Sequence, residues 1–259
     1  MKKALLVICL FIGFNAFAQQ SSVIHDPNVQ LRKVGNFSAI QVSSAIDLYL
    51  TQSNENQVAV SAKDESNRDE IITEVIGGTL IIKMSNNSWL SWNSWGNIKA
   101  KAYVSVKDIN AISGSGATNI HLVNKIETPK MKLKLSGASD MKGEMVVGSL
   151  QIDMSGASDY KGQVTAKNIF LEASGASNIE LSGVAEDLSV DVSGASDAKL
   201  FNLATKGAVV HASGASTANV NVASLLKADA SGASNINYKG EAVLKENKSA
   251  GASNIRHRN

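Results

Sequence analysis

Met131-Lys132-Leu133-Lys134-Leu135-Ser136-Gly137-Ala138-Ser139-Asp140 decides the fold of this chain. Met131, Leu133 and Leu135 alternate with Lys132 and Lys134, which is the period-two pattern of a strand with one buried face. Ser-Gly-Ala-Ser-Asp then reads as a tight turn, with glycine where an unusual backbone conformation is needed. The pattern recurs. The positions six, four and two before the turn glycine are Leu150, Ile152, Met154, then Ile169, Leu171, Ala173. They continue as Leu188, Val190, Val192, then Ala208, Val210, Ala212, then Leu226, Ala228, Ala230. A helix would need apolar residues at three- and four-residue steps instead.

The turn glycines are Gly116, Gly137, Gly156, Gly175, Gly194, Gly214, Gly232 and Gly251, separated by 21, 19, 19, 19, 20, 18 and 19 residues. Such a short fixed period marks a solenoid. An apolar position four residues after most of these glycines, such as Ile120, Met141, Tyr160 and Ile179, predicts a second strand leaving the turn, so about two strands per coil. Coils stacked at ~4.8 Å give a rod on the order of 35–40 Å long. The fold class is therefore all-β, a parallel β-helix with coils of about nineteen residues and an irregular N-terminal β half.

Stacking explains the side chains of the turn. Alanine follows each glycine, then Ser or Thr, then Asn, Asp or Thr. These columns can satisfy turn backbone groups and bond along the stack. Calcium is the rival reading. Calcium wants several carboxylates, and only Asp140, Asp159 and Asp197 occupy the last position, so hydrogen bonding is the better account. At the final turn the positions Lys245, Asn247 and Ser249 turn polar, as expected of a terminal coil.

Residues 35–107 lack the repeat but still alternate. Ile71–Ile76 and Thr79–Met84 flank Gly77-Gly78, a hairpin signal. Residues 63–70 are charged, a loop or one helical turn. This half reads either as a separate sandwich or as irregular coils of the same solenoid; continuity with the repeats is the preferred reading. The expected organisation is a signal peptide over 1–18, a flexible start over 19–34, an irregular β region over 35–107 and solenoid repeats over 108–259. The leader is read from Lys2-Lys3, the apolar run from Ala4 to Phe14 and the small-x-small site Ala16-Phe17-Ala18. It implies an exported protein, in the periplasm or at the cell surface.

The whole chain has 25 basic and 23 acidic residues. Removal of the leader takes away two lysines and leaves a neutral chain, which lacks the footprint of a nucleic-acid binder. Cys9, the single cysteine, leaves with it, so no disulfide is expected. No later stretch is long and apolar enough for a membrane-spanning helix.

Trp89, Trp92 and Trp95 stand among Ser, Asn and Gly between Met84 and Ala100. Tryptophan in polar company suits stacking on sugar or a protein contact; capping of the apolar end of the solenoid and contact with a membrane surface are the alternatives. No catalytic motif is present, and no cofactor or metal site is expected. Of the histidines His25, His121, His211 and His257, His211 alternates with apolar residues and should point outward. Asp153 and Asp191 should share one outer face two coils apart, with Glu172 between them, a candidate acid–base pair for a polysaccharide-active enzyme but more simply a solvated surface.

Taken together, the Ser-Gly-Ala-Ser-Asp/Asn turns, Gly77-Gly78-Thr79-Leu80 after a strand, and Ser113-Gly114-Ser115-Gly116 resemble the head GIN domain family, described as auto-transporter adhesins and common in Bacteroidetes. The resemblance runs from about Phe37 to Ile255 and implies a right-handed β-helix, shaped like pectin lyases without their catalytic residues, and a role in adhesion. One departure is that no C-terminal membrane barrel segment is read in the sequence, so a self-contained autotransporter is not expected. The expected function is a non-enzymatic binding or adhesion module of the cell envelope, with a glycan or an envelope protein as partner and a second copy of the chain as a further candidate. A polysaccharide-active enzyme and a structural envelope protein are the alternatives.

Overall fold

A computed structural model describes residues 26–85 and 99–258. The leader and Trp89, Trp92 and Trp95 lie outside the described residues. In chain order the elements are β1 (Gln30–Arg32), β2 (Ala39–Val42), β3 (Asp47–Gln52), β4 (Gln57–Ser61), α1 (Glu65–Asp69), β5 (Ile71–Ile76), β6 (Thr79–Met84), β7 (Lys101–Val106), β8 (Ala111–Gly114) and β9 (Asn119–Leu122). The repeats follow as β10 (Ile126–Leu135), β11 (Asp140–Met154), β12 (Asp159–Ala173), β13 (Asn178–Val192), β14 (Asp197–Ala212), β15 (Thr217–Ala230), β16 (Asn235–Lys239), β17 (Val243–Ser249) and β18 (Asn254–His257).

From β10 onward each coil pairs in parallel with the next, and residues nineteen apart face one another: Leu135 on Met154, Met154 on Ala173, Ala173 on Val192. The apolar triplets before each turn point inward and are buried, from Met131, Leu133 and Leu135 through Leu226, Ala228 and Ala230. The protein is a β-solenoid. Each burial of a Leu or Ile in these columns is worth about 1.5–3 kcal/mol, and no disulfide is needed. A coil is not two strands joined by turns. It is one run of about fifteen residues, hydrogen-bonded from one Ser-Gly-Ala-Ser turn to the next. The register skips Gly148, Lys167 and Glu186, where the run bends between faces.

The N-terminal half joins the same hydrogen-bonded sheet. β2 pairs with β8 and β3 with β9, so they form a coil stacked beneath the first repeat. Val42 faces Gly114 and Leu48 faces Ile120. Ser43-Ser44-Ala45-Ile46 therefore occupies the place of Ser115-Gly116-Ala117-Thr118. It is a further turn of the stack without a glycine, and it differs from the others in holding both Ser44 (φ +66°) and Ala45 (φ +56°) in the left-handed region. On the other side of this coil lie β6 and β7, pairing with β2 and β3. The stack thus runs β6/β7, β2/β3, β8/β9, which is not the order of the chain. Antiparallel strands finish this end: β5 on β6 through the Gly77-Gly78 hairpin, β4 on β7 and β1 on β4. Residues 65–69 form the short helix α1, capped by the Asp64 carboxylate accepting from Asn67 N at 2.9 Å.

At the other end a bulge intervenes. Lys227 faces Glu246, whereas Leu226 faces Leu244. Asn247 and Ser249 lie in the inward register, but Lys245 is shifted out of it. Leu244 takes the place beneath Leu226, because burying an unpaired ammonium there would cost more than interrupting the ladder.

Candidate functional site

The turns show why the sequence repeats. Every turn glycine holds a positive φ, from +68° at Gly194 to +81° at Gly116. From Gly137 onward the neighbouring coil leaves no room for a side chain: a Cβ on Gly137 would stand 2.6 Å from the Gly116 carbonyl oxygen, and one on Gly232 2.8 Å from that of Gly214. The following alanine N–H donates to the glycine carbonyl one coil back, as from Ala138 to Gly116 at 2.6 Å and from Ala252 to Gly232 at 2.8 Å. The serine or threonine after it is buried in every turn but the last. Ser139, Ser158, Ser177, Ser216 and Ser234 each donate to the carbonyl three residues earlier at 2.8–2.9 Å. These groups are occupied within the turn, so the ladder is architecture. In the Asn/Asp column, Asn119 Nδ2 donates to Asp47 Oδ1 at 2.7 Å, one coil away. Burial, with the Asp159 carboxylate beside it, raises the Asp140 carboxyl above its ordinary value. No group of three His, Cys, Asp or Glu suited to a metal ion occurs among the described residues.

The strand segments just before the turns form a flat outer face. Three outward columns run along it. One carries Lys134, Asp153, Glu172, Asp191, His211, Asp229 and Lys248. The next carries Lys132, Gln151, Phe170, Ser189, Val209, Lys227 and Glu246. The third carries Lys130, Ser149, Asn168, Asp187, Gly207, Leu225 and Val243. The register thus brings Asp153, Glu172 and Asp191 together, with His211 next in line and exposed. Their column is open to solvent on a flat surface, whereas a general acid needs an environment that raises its pKa.

Two shallow grooves lie side by side on this face. One of about 400 Å³ is mostly apolar and is bordered by Phe170, Val209 and Leu225, with Gly207 in its lining. The other, of about 490 Å³, is polar and is bordered by Lys134, Gln151, Asp153, Glu172 and Asp191. Phe170 is 51% exposed and Leu225 38%. Sequence reasoning passed over Phe170. The signal was there: a large aromatic at a position of the alternation that is otherwise polar in its neighbouring repeats.

A second surface feature lies on the strands that leave the turns. Tyr103, Tyr49 and His121 stack in successive layers, with ring centroids 5.3 and 4.9 Å apart. Tyr103 donates to Asp26 Oδ2 at 3.0 Å, and burial together with that carboxylate raises its phenol pKa well above the usual value. Burial and the nearby Lys142 ammonium lower the His121 imidazole. Its Nδ1 is buried with no hydrogen-bond partner among the described residues. A third cleft, about 650 Å³, opens among the loops at the N-terminal end, beside Asn36, Asn54 and Asp108. There Asn56 ties two loops by donating to Phe37 O at 2.9 Å and accepting from Lys107 N at 3.0 Å.

A parallel β-solenoid with an ordered turn ladder and open, grooved outer faces defines the class of protein. The family described as "Putative auto-transporter adhesin, head GIN domain" matches residues 36–169 and, overlapping, 148–242. The chain belongs to this family. No curated protein matches it. Among solved structures it is similar to a putative lipid binding protein from Parabacteroides distasonis, at 22% identity over 90% of this chain and 98% of that one, TM-score 0.78. A putative adhesin from Parabacteroides merdae matches at 17% identity over 90% and 96%, TM-score 0.78. A putative adhesin from Bacteroides fragilis matches at 18% identity over 89% and 96%, TM-score 0.62. At these identities the likeness is one of fold. Family and neighbours are described by binding and adhesion, not by an enzymatic activity. No helix among the described residues is long and apolar enough to cross a membrane.

Proposed function

We propose that the protein is a non-enzymatic, exported binding or adhesion module of the cell envelope that holds a glycan on the outer face of its solenoid. The observation that carries this reading is the flat face itself, with one polar and one apolar groove side by side on successive coils. A rigid sheet presents side chains at fixed spacing, which suits a repeating ligand. Membership of a family described as adhesins supports it. Trp89, Trp92 and Trp95 are proposed as a further contact. The test is a glycan array with the mature chain and with the Trp89/Trp92/Trp95→Ala variant, accompanied by crosslinking in the native cell. Retention of a defined glycan by the wild type supports the reading. Crosslinking to one envelope protein, with a silent array, would replace the glycan by a protein partner.

A further inference from the structure

We infer that Phe170 is the centre of a sugar-binding site and that its ligand is a chain of neutral or amino sugars, not an acidic glycan. This rests on the reading of the protein as a glycan-holding module and adds to it a place and a sugar class. Phe170 points away from the core and contributes nothing to the inward columns, yet it stays half exposed. Every other outward residue of the same face in β10–β13 is polar or charged. Gln151 and Ser189 face Phe170 from the adjacent coils, about 4.8 Å away. Asn168 and Glu172 flank it along its own strand at roughly 6.6 Å. A pyranose stacked by its C–H face on the ring would carry its hydroxyls outward over these amide, hydroxyl and carboxylate groups.

Charge selects among sugars. Lys132 pairs with Asp153 at 3.7 Å, and Gln151 Nε2 donates to the same carboxylate at 3.2 Å. Glu172, Asp187 and Asp191 have no ion-pair partner among the described residues. Lys134 and Lys227 also border these grooves, but Asp153, Glu172, Asp187 and Asp191 outnumber them, and the carboxylates in excess repel a uronate and attract an ammonium. Gly207 then opens a second subsite. Its φ is not in the left-handed region, and a Cβ there would meet nothing closer than Asp187 Oδ1 at 3.3 Å. The backbone therefore does not demand glycine. The missing side chain is what leaves the apolar groove open between Phe170 and Leu225.

The experiment titrates the mature chain with three oligosaccharides of equal length: a neutral N-acetylhexosamine oligomer, its de-N-acetylated counterpart and a uronic acid oligomer. Vesicles of phosphatidylethanolamine and phosphatidylglycerol form a fourth arm. The free-amine oligomer binds tightest and weakens with salt, the neutral one binds, and the uronate does not. Phe170→Ala and Gly207→Leu each weaken binding by at least about tenfold, a hot-spot effect, with melting temperatures near wild type. Phe170→Trp retains it. Equal binding of the uronate, unchanged binding by Phe170→Ala and Gly207→Leu, or binding of vesicles in place of sugars overturns the inference. Loss of binding in the Trp89/Trp92/Trp95→Ala variant, with Phe170→Ala binding as wild type, sinks this site and leaves the broader reading standing. No binding of any probe by the wild type sinks the site, and the array and crosslinking decide the broader reading independently.

Discussion

The hydroxyl of Tyr160 occupies the space of the side chain that Gly162 lacks: a Cβ on Gly162 would stand 2.6 Å from Tyr160 Oη. One coil on, the matching positions are Ile179 and Leu181. The two coils fill the same interior with the volume divided differently. Tyr160 is fully buried and its hydroxyl has no hydrogen-bond partner among the described residues, so burial pushes its pKa far up.

Tyr160→Phe is therefore expected to leave stability unchanged or raise it by up to about 1 kcal/mol, because an unsatisfied buried hydroxyl is removed. Gly162→Leu alone is strongly destabilising, and Tyr160→Ile alone leaves a cavity. The double variant Tyr160→Ile/Gly162→Leu recovers much of the loss. Denaturant midpoints for the four proteins give a coupling of about 1–3 kcal/mol; additive effects would contradict the shared volume.

Gly194 and Ser44 occupy equivalent places in the ladder with opposite consequences. Gly194→Ala adds a methyl 2.6 Å from the Gly175 carbonyl at a φ of +68°, and a loss of roughly 2–4 kcal/mol is expected from strain and overpacking together. Ser44→Gly relieves a left-handed serine and should stabilise by about 1 kcal/mol. Urea unfolding distinguishes the two, and a destabilised Ser44→Gly would refute the equivalence of the turns.

The buried serines should behave as structural hydrogen-bond donors. Ser177 donates to Ser174 O at 2.9 Å. Ser177→Ala leaves that carbonyl unpaired and should cost about 1–3 kcal/mol. Calcium titration of wild type and variant should leave their melting temperatures unmoved; a calcium-dependent rise would restore the metal reading of the turns.

His121 predicts a dependence on pH. Its folded pKa lies below the ordinary 6.5 through burial and Lys142, opposed by Asp47. The unfolded chain therefore takes up the proton first. Stability is full above about 6.5 and declines as the pH falls toward the lower folded value. His121→Phe keeps a ring against Tyr49 and removes this decline. Melting temperatures of both proteins from about pH 7.5 to about pH 5 should show the wild type falling relative to the variant as the pH drops; a constant gap would show that His121 is not the titrating group.

What the sequence made legible was whatever repeats at short range. Alternation placed Leu133, Ile152 and Leu171 inside, and Gly77-Gly78 marked its hairpin. The turn at Ser43-Ser44-Ala45-Ile46 escaped notice because it lacks glycine, and because its partner turn at Gly116 lies 72 residues away. Alternation alone puts Lys245 inward, because the bulge that shifts it out leaves no mark on a polar stretch. Phe170 was hidden by the regularity around it: a strand pattern draws attention to the residues it buries, whereas a ligand meets those it leaves outside.

The order of the stack governs how the rod assembles. The repeats from β10 onward need only their neighbours in sequence and can propagate coil by coil. The coil of β2 and β3 is sandwiched between β6/β7 and β8/β9. Although it is made early, it cannot gain its second neighbour until residue 111 has arrived. Closing so distant a contact is slow, because chain entropy is lost before pairing compensates. The N-terminal end should thus be the last part to fold and the first to exchange its amide hydrogens, and the repeats form the template on which it is completed.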